Sequence, residues 1–181
     1  MIDGATGTLG LGAVILALAM GAAKVYGTGR NKTLLDKIHK LDPSRVVPIA
    51  LGGRATSEVI MEATSGYGVD ALIETLGPNA PVATVLDSFN ALRRGGKAIN
   101  IGGVADPIPL EPFPLMCLQK SYIGSLWFTT AEGQDMASMA DSGTLNLGVF
   151  EHERFPLDQV NEALDAIEKR SGGFTNVVIM H

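Results

Sequence analysis

Two kinds of apolar pattern alternate along the chain, and together they predict an α/β fold. Short, nearly continuous apolar runs, such as residues 69–73, are typical of strands that are buried on both faces of a parallel sheet. The segment that Pro81 opens has instead an apolar residue at every third or fourth position, which is the spacing of an amphipathic helix. Regular alternation of the two patterns predicts a parallel sheet with right-handed crossovers.

Six strands are expected before this alternation stops near residue 146. They are predicted at residues 1–3, 24–28, 45–50, 69–73, 97–101 and 121–128. Pro48 cannot donate a hydrogen bond to a central ladder, so it indicates that the third strand lies at an edge. The predicted helices cover residues 11–20, 34–41, 56–64 and 81–92, with Gly21 closing the first as a C-cap and Gly95 and Gly96 ending the fourth.

Later segments are less regular. Residues 102–118 carry four prolines and are predicted to form an ordered surface loop. Thr129 and Glu132 have the spacing of a capping box for a helix whose methionines, Met136 and Met139, are expected in the core. The tail is predicted as a helix beginning near Leu157 and a last strand at residues 176–180.

A glycine-rich turn near the N-terminus is the strongest candidate for chemistry. It has the form Ala5-x-Gly7-x-x-Gly10 between a strand end and an apolar helix. Gly7 allows the backbone to approach a pyrophosphate, Gly10 allows the helix to pack on the sheet, and the helix N-terminus attracts an anion. The predicted cofactor-binding residues of this turn are Ala5, Thr6, Gly7, Thr8, Leu9 and Gly10. The alternative is a glycine-rich turn that binds nothing.

The end of the second strand predicts which dinucleotide would bind. Enzymes that use NAD place an acidic residue here, against the ribose 2′-hydroxyl, yet residues 24–35 contain no carboxylate. Gly29 leaves space at that position, and Arg30, followed by Asn31, offers a guanidinium that suits a 2′-phosphate. We therefore expect NADP(H). The alternative is that Arg30 is a solvated residue at the start of the next helix.

Composition and charge limit the functions and cellular locations that are expected for the chain. The chain has 181 residues, 46% of them hydrophobic, and a net charge of −5 without a basic run, which argues against nucleic-acid binding. The longest apolar run is too short to span a membrane and no signal peptide is recognisable, so a cytoplasmic protein is expected. Cys117 is the single cysteine and the three histidines are far apart in sequence, so no metal site is expected within this chain.

Only three residues precede the glycine turn, whereas a buried parallel strand usually needs about five. We therefore expect the first strand to be short, as it would be if the sequence began inside a larger protein.

Several pieces of the chain together resemble the medium-chain dehydrogenase/reductases, which include zinc-type alcohol dehydrogenases and quinone oxidoreductases. The resemblance covers nearly the whole chain and rests on residues 4–10, 17–22, 66–70, 92–97 and 155–157. It implies a doubly wound Rossmann sheet of order 3-2-1-4-5-6 with a C-terminal helix and strand. Residues 1–149 would form the NADP-binding domain, and residues 150–181 would return to a catalytic domain that this sequence does not contain.

The resemblance also implies further site residues and a function. Positions expected near the cofactor at the ends of the fourth to sixth strands are Leu76, Gly77, Ile101, Gly102, Gly103, Val104, Ser125 and Leu126. The parent enzyme would transfer hydride to or from a small alcohol, an aldehyde or ketone, or a quinone or enone, and no residue of this chain qualifies as catalytic. Asp70 and Glu74 could be mistaken for a pair of catalytic acids, but Asp70 precedes the apolar run and is more simply interpreted as a turn residue.

Two other classes of protein share parts of this pattern. A short-chain reductase would need Tyr-x-x-x-Lys, and no tyrosine here has a lysine four residues later. A non-catalytic NADP(H)-binding module, or a redox-sensing or structural derivative, would keep the glycine turn without turnover, so the isolated chain is expected to be inactive. A homodimer is expected through the apolar residues 121–128 at the sheet edge.

Overall fold

A computed structural model describes residues 1–169 and 172–181 of the chain. The helices are α1 (Thr8–Ala19), α2 (Lys32–His39), α3 (Thr56–Ala63), α4 (Val82–Asn90), α5 (Pro112–Leu118), α6 (Thr130–Asp141) and α7 (Val160–Lys169). The strands are β1 (Ile2–Asp3), β2 (Val25–Gly29), β3 (Val46–Ala50), β4 (Val69–Glu74), β5 (Leu92–Asn100), β6 (Ser121–Gly124), β7 (Glu151–Pro156) and β8 (Thr175–Met180). Short 3₁₀ helices lie at Leu147–Val149 and Leu157–Gln159.

Strands β1 to β6 form one parallel sheet in the order β3-β2-β1-β4-β5-β6, which confirms the predicted doubly wound topology. The short strand β1 lies between β2 and β4, with Ile2 opposite both Gly27 and Ile73. Pro48 lies in the edge strand β3 opposite Gly27, as its missing N–H predicts. Helices α1 and α2 pack with one apolar cluster, and α3 and α4 contribute to a second.

The first helix begins earlier than predicted and is only partly buried. Leu11 and Val14 are fully buried, whereas Leu9 and Met20 at its two ends are exposed. The predicted stop at Gly21 is confirmed, because Gly21 has a φ of 85° and the N–H of Ala22 donates to the Ala17 carbonyl, the bond of a Schellman motif. No helix in the described part of the chain is both long and apolar enough to cross a membrane.

The boundary between α4 and β5 was predicted wrongly. The helix ends at Asn90, and the strand already begins at Leu92, opposite Val69, instead of at Lys97. Leu92 fits the apolar stripe of the helix, but the Val69 N–H donates to the Ala91 carbonyl at 2.9 Å and draws this stretch into the sheet. A register shift between Val69 and Ala71 accommodates the extra residues of the longer strand.

Two further predictions need correction between residues 102 and 128. The proline-rich stretch contains the helix α5, which Pro112 can open because the first helical residue needs no N–H donor. Strand β6 ends at Gly124 instead of residue 128, and the Ser125 N–H makes the last bond to the sheet, to the Asn100 carbonyl at 2.9 Å. The apolar residues that follow therefore lie beyond the ladder.

The capping box at Thr129 is confirmed. Its hydroxyl accepts from the Glu132 N–H at 3.3 Å, and the Glu132 carboxylate accepts from the Thr129 N–H at 2.7 Å. The expectation for the methionines of α6 is only half right, since Met139 packs against the core while Met136 is exposed.

The C-terminal residues form a separate two-stranded parallel sheet. Strand β8 confirms the predicted last strand, but its partner β7 was missed because its sequence is largely charged. Helix α7 connects the two strands, as a parallel pair requires. The domain boundary expected between residues 149 and 150 stays a prediction.

Candidate cofactor site

The predicted site residues come together along one edge of the sheet, where the parallel strands have their carboxyl ends. This edge is where ligands bind in open α/β sheets, next to the point at which the strand order reverses between β1 and β4. The residues follow β1 (Ala5 to Gly10), end or follow β2 (Gly29, Arg30, Asn31), follow β4 (Leu76, Gly77), follow β5 (Ile101 to Val104) and follow β6 (Ser125, Leu126).

The glycine turn leads from β1 into α1 with its backbone closely packed on itself. The Gly7 N–H donates to the Gly4 carbonyl at 2.9 Å, and Gly7 is then the N-cap of the helix. A Cβ on Gly10 would overlap the Gly4 carbonyl oxygen and lie 2.6 Å from its carbon, so only glycine fits. Residues 8–11 hold no acidic side chain that would repel an anion from this helix start.

Next to the turn lies a buried polar network that the sequence patterns did not predict. One carboxylate oxygen of Asp3, which is 0% exposed, accepts from the Thr28 hydroxyl at 3.0 Å and from the Ser88 hydroxyl at 2.8 Å. The Thr28 hydroxyl also accepts from the Gly4 N–H at 3.2 Å. The network therefore joins the ends of β1 and β2 to α4 directly below the candidate site. The sequence signal that could have indicated this network is Asp3, an acidic residue between Ile2 and the glycine turn.

Burial raises the pKa of Asp3 to about 6, with a smaller contribution from the nearby Glu74 carboxylate. Glu74 ends the neighbouring strand β4 directly opposite Asp3, and its pKa is raised by burial as well. Within the described residues, one carboxylate oxygen of each acid, Asp3 Oδ2 and Glu74 Oε2, makes no hydrogen bond. Both buried acids therefore bind a proton more tightly than they would in water.

The prediction that Gly29 leaves room for an acidic residue is wrong. A Cβ at this position would lie 2.9 Å from Thr6 Cγ2 and 3.2 Å from Leu35 Cδ2, so these side chains already fill the space. Arg30 is exposed, and Asn31 caps α2 by accepting from the Leu34 N–H at 3.2 Å. The charged group at the end of β2 is therefore Arg30 itself.

Arg30 lines a pocket of about 430 Å³ that reaches from the end of β2 across to the loop after β4. Leu51, Leu76, Gly77 and Thr84 also line this pocket. The predicted residues Arg30, Leu76 and Gly77, which are far apart in sequence, thus share one cavity. An apolar wall with one guanidinium at its rim suits a flat ring system that carries an anionic group.

The loops after β4 and β5 are tied together through their backbones. The Gly102 N–H donates to the Glu74 carbonyl at 2.9 Å, and the Gly103 N–H donates to the Leu76 carbonyl at 2.8 Å. Asp70 and Glu74 form no acid pair, because Asp70 is exposed and bonds Arg93 at 2.6 Å while Glu74 is buried. Ser125 and Leu126 follow the outermost strand, β6, at the carboxyl-end side of the sheet, and Leu126 is 83% exposed.

A resident metal ion does not fit the described residues. Residues 1–169 and 172–181 bring together no group of three or more His, Cys, Asp or Glu side chains that could hold one. His39 is occupied by its contact with the Val46 carbonyl at 2.8 Å, and Cys117 is exposed on α5.

Comparison with known proteins identifies the family. The sequence model of the family described as zinc-binding dehydrogenase matches residues 8–142. The chain belongs to the zinc-binding dehydrogenase family. Within this family it is 31% identical over 173 residues to a probable zinc-binding alcohol dehydrogenase of Mycobacterium tuberculosis, covering 92% of this chain and 41% of that protein. It is 28% identical over 142 residues to a probable quinone oxidoreductase of Schizosaccharomyces pombe, covering 68% of this chain and 38% of the other.

The fold is also found among solved structures of the zinc-binding dehydrogenase type. A candidate zinc-binding dehydrogenase of Sinorhizobium meliloti, solved bound to NADP, superposes with a TM-score of 0.80 at 22% identity and covers 99% of this chain and 51% of that one. This chain therefore spans about half the length of the family members it matches. The resemblance to the cofactor-binding part of medium-chain dehydrogenase/reductases is confirmed.

Proposed function

We propose that this chain is the cofactor-binding part of an NADP(H)-dependent oxidoreductase. The parent enzyme would transfer hydride to or from a small alcohol, an aldehyde or ketone, or a quinone or enone. When bound, NADP(H) supplies the hydride donor or acceptor, and the protein binds and orients it. The observation that carries the proposal is the close approach at Gly10, which places the start of α1 against the end of β1 as a phosphate-binding turn requires.

The ribose end of the site supports NADP(H) over NAD(H). Residues 24–35 contain no carboxylate, and the space at Gly29 is filled by Thr6 and Leu35. Arg30 is exposed at the rim of the pocket beside Leu76 and Gly77. A guanidinium there attracts a 2′-phosphate, and residues 24–35 hold no carboxylate to accept a hydrogen bond from a free 2′-hydroxyl.

The nicotinamide end would be formed by backbone and apolar groups. Residues 100–104 and 124–126 carry no ionisable side chain. Their role would be to position the ring, and the groups that handle protons of the substrate would come from elsewhere in the parent enzyme. The substrate itself would be contacted mainly by that other part.

Titration calorimetry of NADPH and NADH tests the proposal. A charge-assisted hydrogen bond contributes about 1.5 to 3 kcal/mol, so we expect NADPH to bind about 10- to 150-fold more tightly than NADH. Arg30→Ala should remove most of this preference by weakening NADPH and leaving NADH nearly unchanged. Lys32→Ala, which removes an exposed positive charge from the first turn of α2, is the matched control and should keep the preference.

Equal affinities of the unaltered chain for the two cofactors would contradict the NADP(H) assignment. Binding of neither cofactor would contradict the cofactor-binding function altogether. A loss of preference in Lys32→Ala equal to that in Arg30→Ala would mean that general positive charge, and no specific contact by Arg30, decides between the cofactors.

A second candidate function is a non-catalytic NADP(H)-binding module. It is favoured by the absence of an ionisable side chain from residues 100–104 and 124–126. The two candidates agree on cofactor binding and differ on the parent protein. A longer protein that includes this chain should reduce or oxidise a panel of small alcohols, ketones and quinones if the first is right. Binding without any turnover would favour the module.

We propose in addition that two copies of the chain associate through the edge that β6 forms. The open ladder of this edge strand is continuous with Leu126, Trp127 and Phe128, and the first two of these side chains are more than four-fifths exposed. A second copy fits because an isologous contact covers the apolar residues and the open ladder of both edges at once. Sedimentation at tens of micromolar is expected to show a dimer, and a monomer at that concentration would contradict it.

A further inference from the structure

The C-terminal residues 172–174 lie directly on the glycine turn. The Gly173 N–H donates to the Thr6 carbonyl at 2.9 Å. A Cβ on Gly173 would overlap the Gly7 carbonyl, at 2.7 Å from its carbon, and would lie 2.8 Å from Thr8 Cα. Residue 173 must therefore be glycine for the segment to reach the turn.

Phe174 fixes the same segment to α2. Its side chain is 6% exposed and packs in the apolar cluster with Leu35 and Ile38, and the Lys37 ammonium lies 5.3 Å from its ring centre. Its carbonyl accepts from the Glu151 N–H at 2.8 Å, where β7 begins. The segment thus contacts the two elements on either side of the candidate ribose site, the glycine turn and α2, and joins both to the β7–β8 sheet.

The hydrogen bond from Gly173 occupies a backbone carbonyl of the glycine turn. A carbonyl oxygen that faced the start of α1 would repel a pyrophosphate, whereas the N–H groups there attract it. The Thr6 carbonyl accepts from Gly173, and the Gly7 carbonyl accepts from the Leu11 N–H at 2.8 Å. Both carbonyls are therefore engaged within the protein, and among the described residues it is the C-terminal segment that donates to the Thr6 carbonyl.

We propose that Gly173 is a positioning residue of the cofactor site. Residues 172–174 hold the turn at Thr6 to Thr8 in the shape that receives the pyrophosphate, and so they couple the β7–β8 sheet to cofactor binding. This inference rests on the proposed function. Because such coupling is reciprocal, a bound pyrophosphate also stabilises the contact between residues 172–174 and the glycine turn.

Affinities of Gly173→Ala for two ligands test the proposal. Adenosine 2′-monophosphate has the ribose phosphate expected to meet Arg30 but lacks the pyrophosphate. We expect Gly173→Ala to weaken NADPH by about tenfold or more, within the usual range of coupling between sites, and to change adenosine 2′-monophosphate by less than about twofold. Gly53→Ala is the matched control, since a Cβ there meets no described atom within 4 Å.

An equal loss for both ligands would reduce Gly173 to a residue of the fold, and an unchanged NADPH affinity would overturn the proposal. If the unaltered chain binds neither ligand, the proposed function fails; if it binds both and Gly173→Ala matches it, this inference alone fails.

Amide hydrogen exchange of the unaltered chain gives a second test that does not depend on the variant folding. Saturating NADPH should slow exchange at Gly173 by about tenfold, and adenosine 2′-monophosphate should not. Equal slowing by both ligands, or slowing by neither, would overturn the coupling.

Discussion

The two ends of the candidate site differ in how tightly the protein builds them. At the β1–β2 end, Gly10 touches the backbone of Gly4, and a buried network around Asp3 supports the turn from below. At the β5–β6 end, Gly102 is also packed closely against the Leu76 backbone, but Gly103 and Ser125 are exposed and Leu126 is almost fully in solvent.

The difference indicates which part of the site this chain completes alone. The end that would receive phosphates is preorganised, because its backbone geometry is determined by contacts within the chain. The end that would receive the nicotinamide is open, as expected of a surface that another part of the parent enzyme would cover. Four substitutions can break or sharpen this comparison.

The largest effect is expected for Gly10→Ala. Its Cβ would overlap the Gly4 carbonyl, and overpacking of this kind costs about 3 kcal/mol of unfolding free energy, or about 6 to 12 °C in Tm for a chain of this size. Thermal unfolding followed by circular dichroism measures it. The control is Gly12→Ala in the same helix, where a Cβ meets no described atom within 4 Å and a gain of about 0.5 to 1 kcal/mol is expected. Similar Tm values for the two variants would contradict the close approach.

The next effect concerns pH and Asp3. Its pKa rises from 3.8 in the unfolded chain to about 6 in the folded one, so the folded state binds the proton more tightly. This stabilisation is complete below pH 3.8 and is lost as the pH rises to about 6; a shift of about two pKa units corresponds to about 3 kcal/mol.

Asp3→Asn removes this titration, so it isolates the effect. Relative to the variant, the unaltered chain should lose about 3 kcal/mol of stability between pH 3.5 and 6.5, as measured by urea unfolding at several pH values. The comparison cancels the titration of groups that do not interact with Asp3. A stability difference that does not change with pH would mean that folding does not raise the pKa of Asp3.

A smaller effect is expected where the open end passes into α6. Thr129→Ala removes the two hydrogen bonds of the Thr129 hydroxyl, to the Glu132 N–H and to the Glu132 carboxylate, which should cost about 1 kcal/mol or about 2 to 4 °C in Tm. Thr130→Ala, one residue further into the helix and also exposed, is the control and should leave Tm nearly unchanged. An equal loss in the two variants would mean that the cap contributes nothing specific.

The smallest effect is expected for Gly103→Ala at the open end. A Cβ at position 103 meets no described atom within 4 Å. The unfolding free energy of the variant should therefore stay within about 0.5 kcal/mol of that of the unaltered chain. A loss as large as that of Gly10→Ala would show that the β5–β6 end is as tightly packed as the β1–β2 end, and the comparison would fail.

Much of the fold could be predicted from the sequence because its signals are local. Apolar periodicity distinguishes strands from helices, Pro48 identifies the edge strand, and Gly21 and the Thr129 capping box mark helix ends, each within a few residues. The glycine turn and the lack of a carboxylate after β2 belong to the same class. The family resemblance added the positions after β4, β5 and β6, which the topology brings to one edge.

The sequence by itself determined the presence of strands β1 to β6 and of helices α1 to α4, the location of the glycine turn and the charge beside it. Tertiary structure alone decided the rest, because each remaining feature depends on residues that are distant in the chain. Thr6 and Leu35 fill the space that was predicted beside Gly29, and Val69 draws Leu92 out of its helical pattern into β5. In the same way Gly173 reaches Thr6 across almost the whole chain, a contact that no local pattern of glycine could predict.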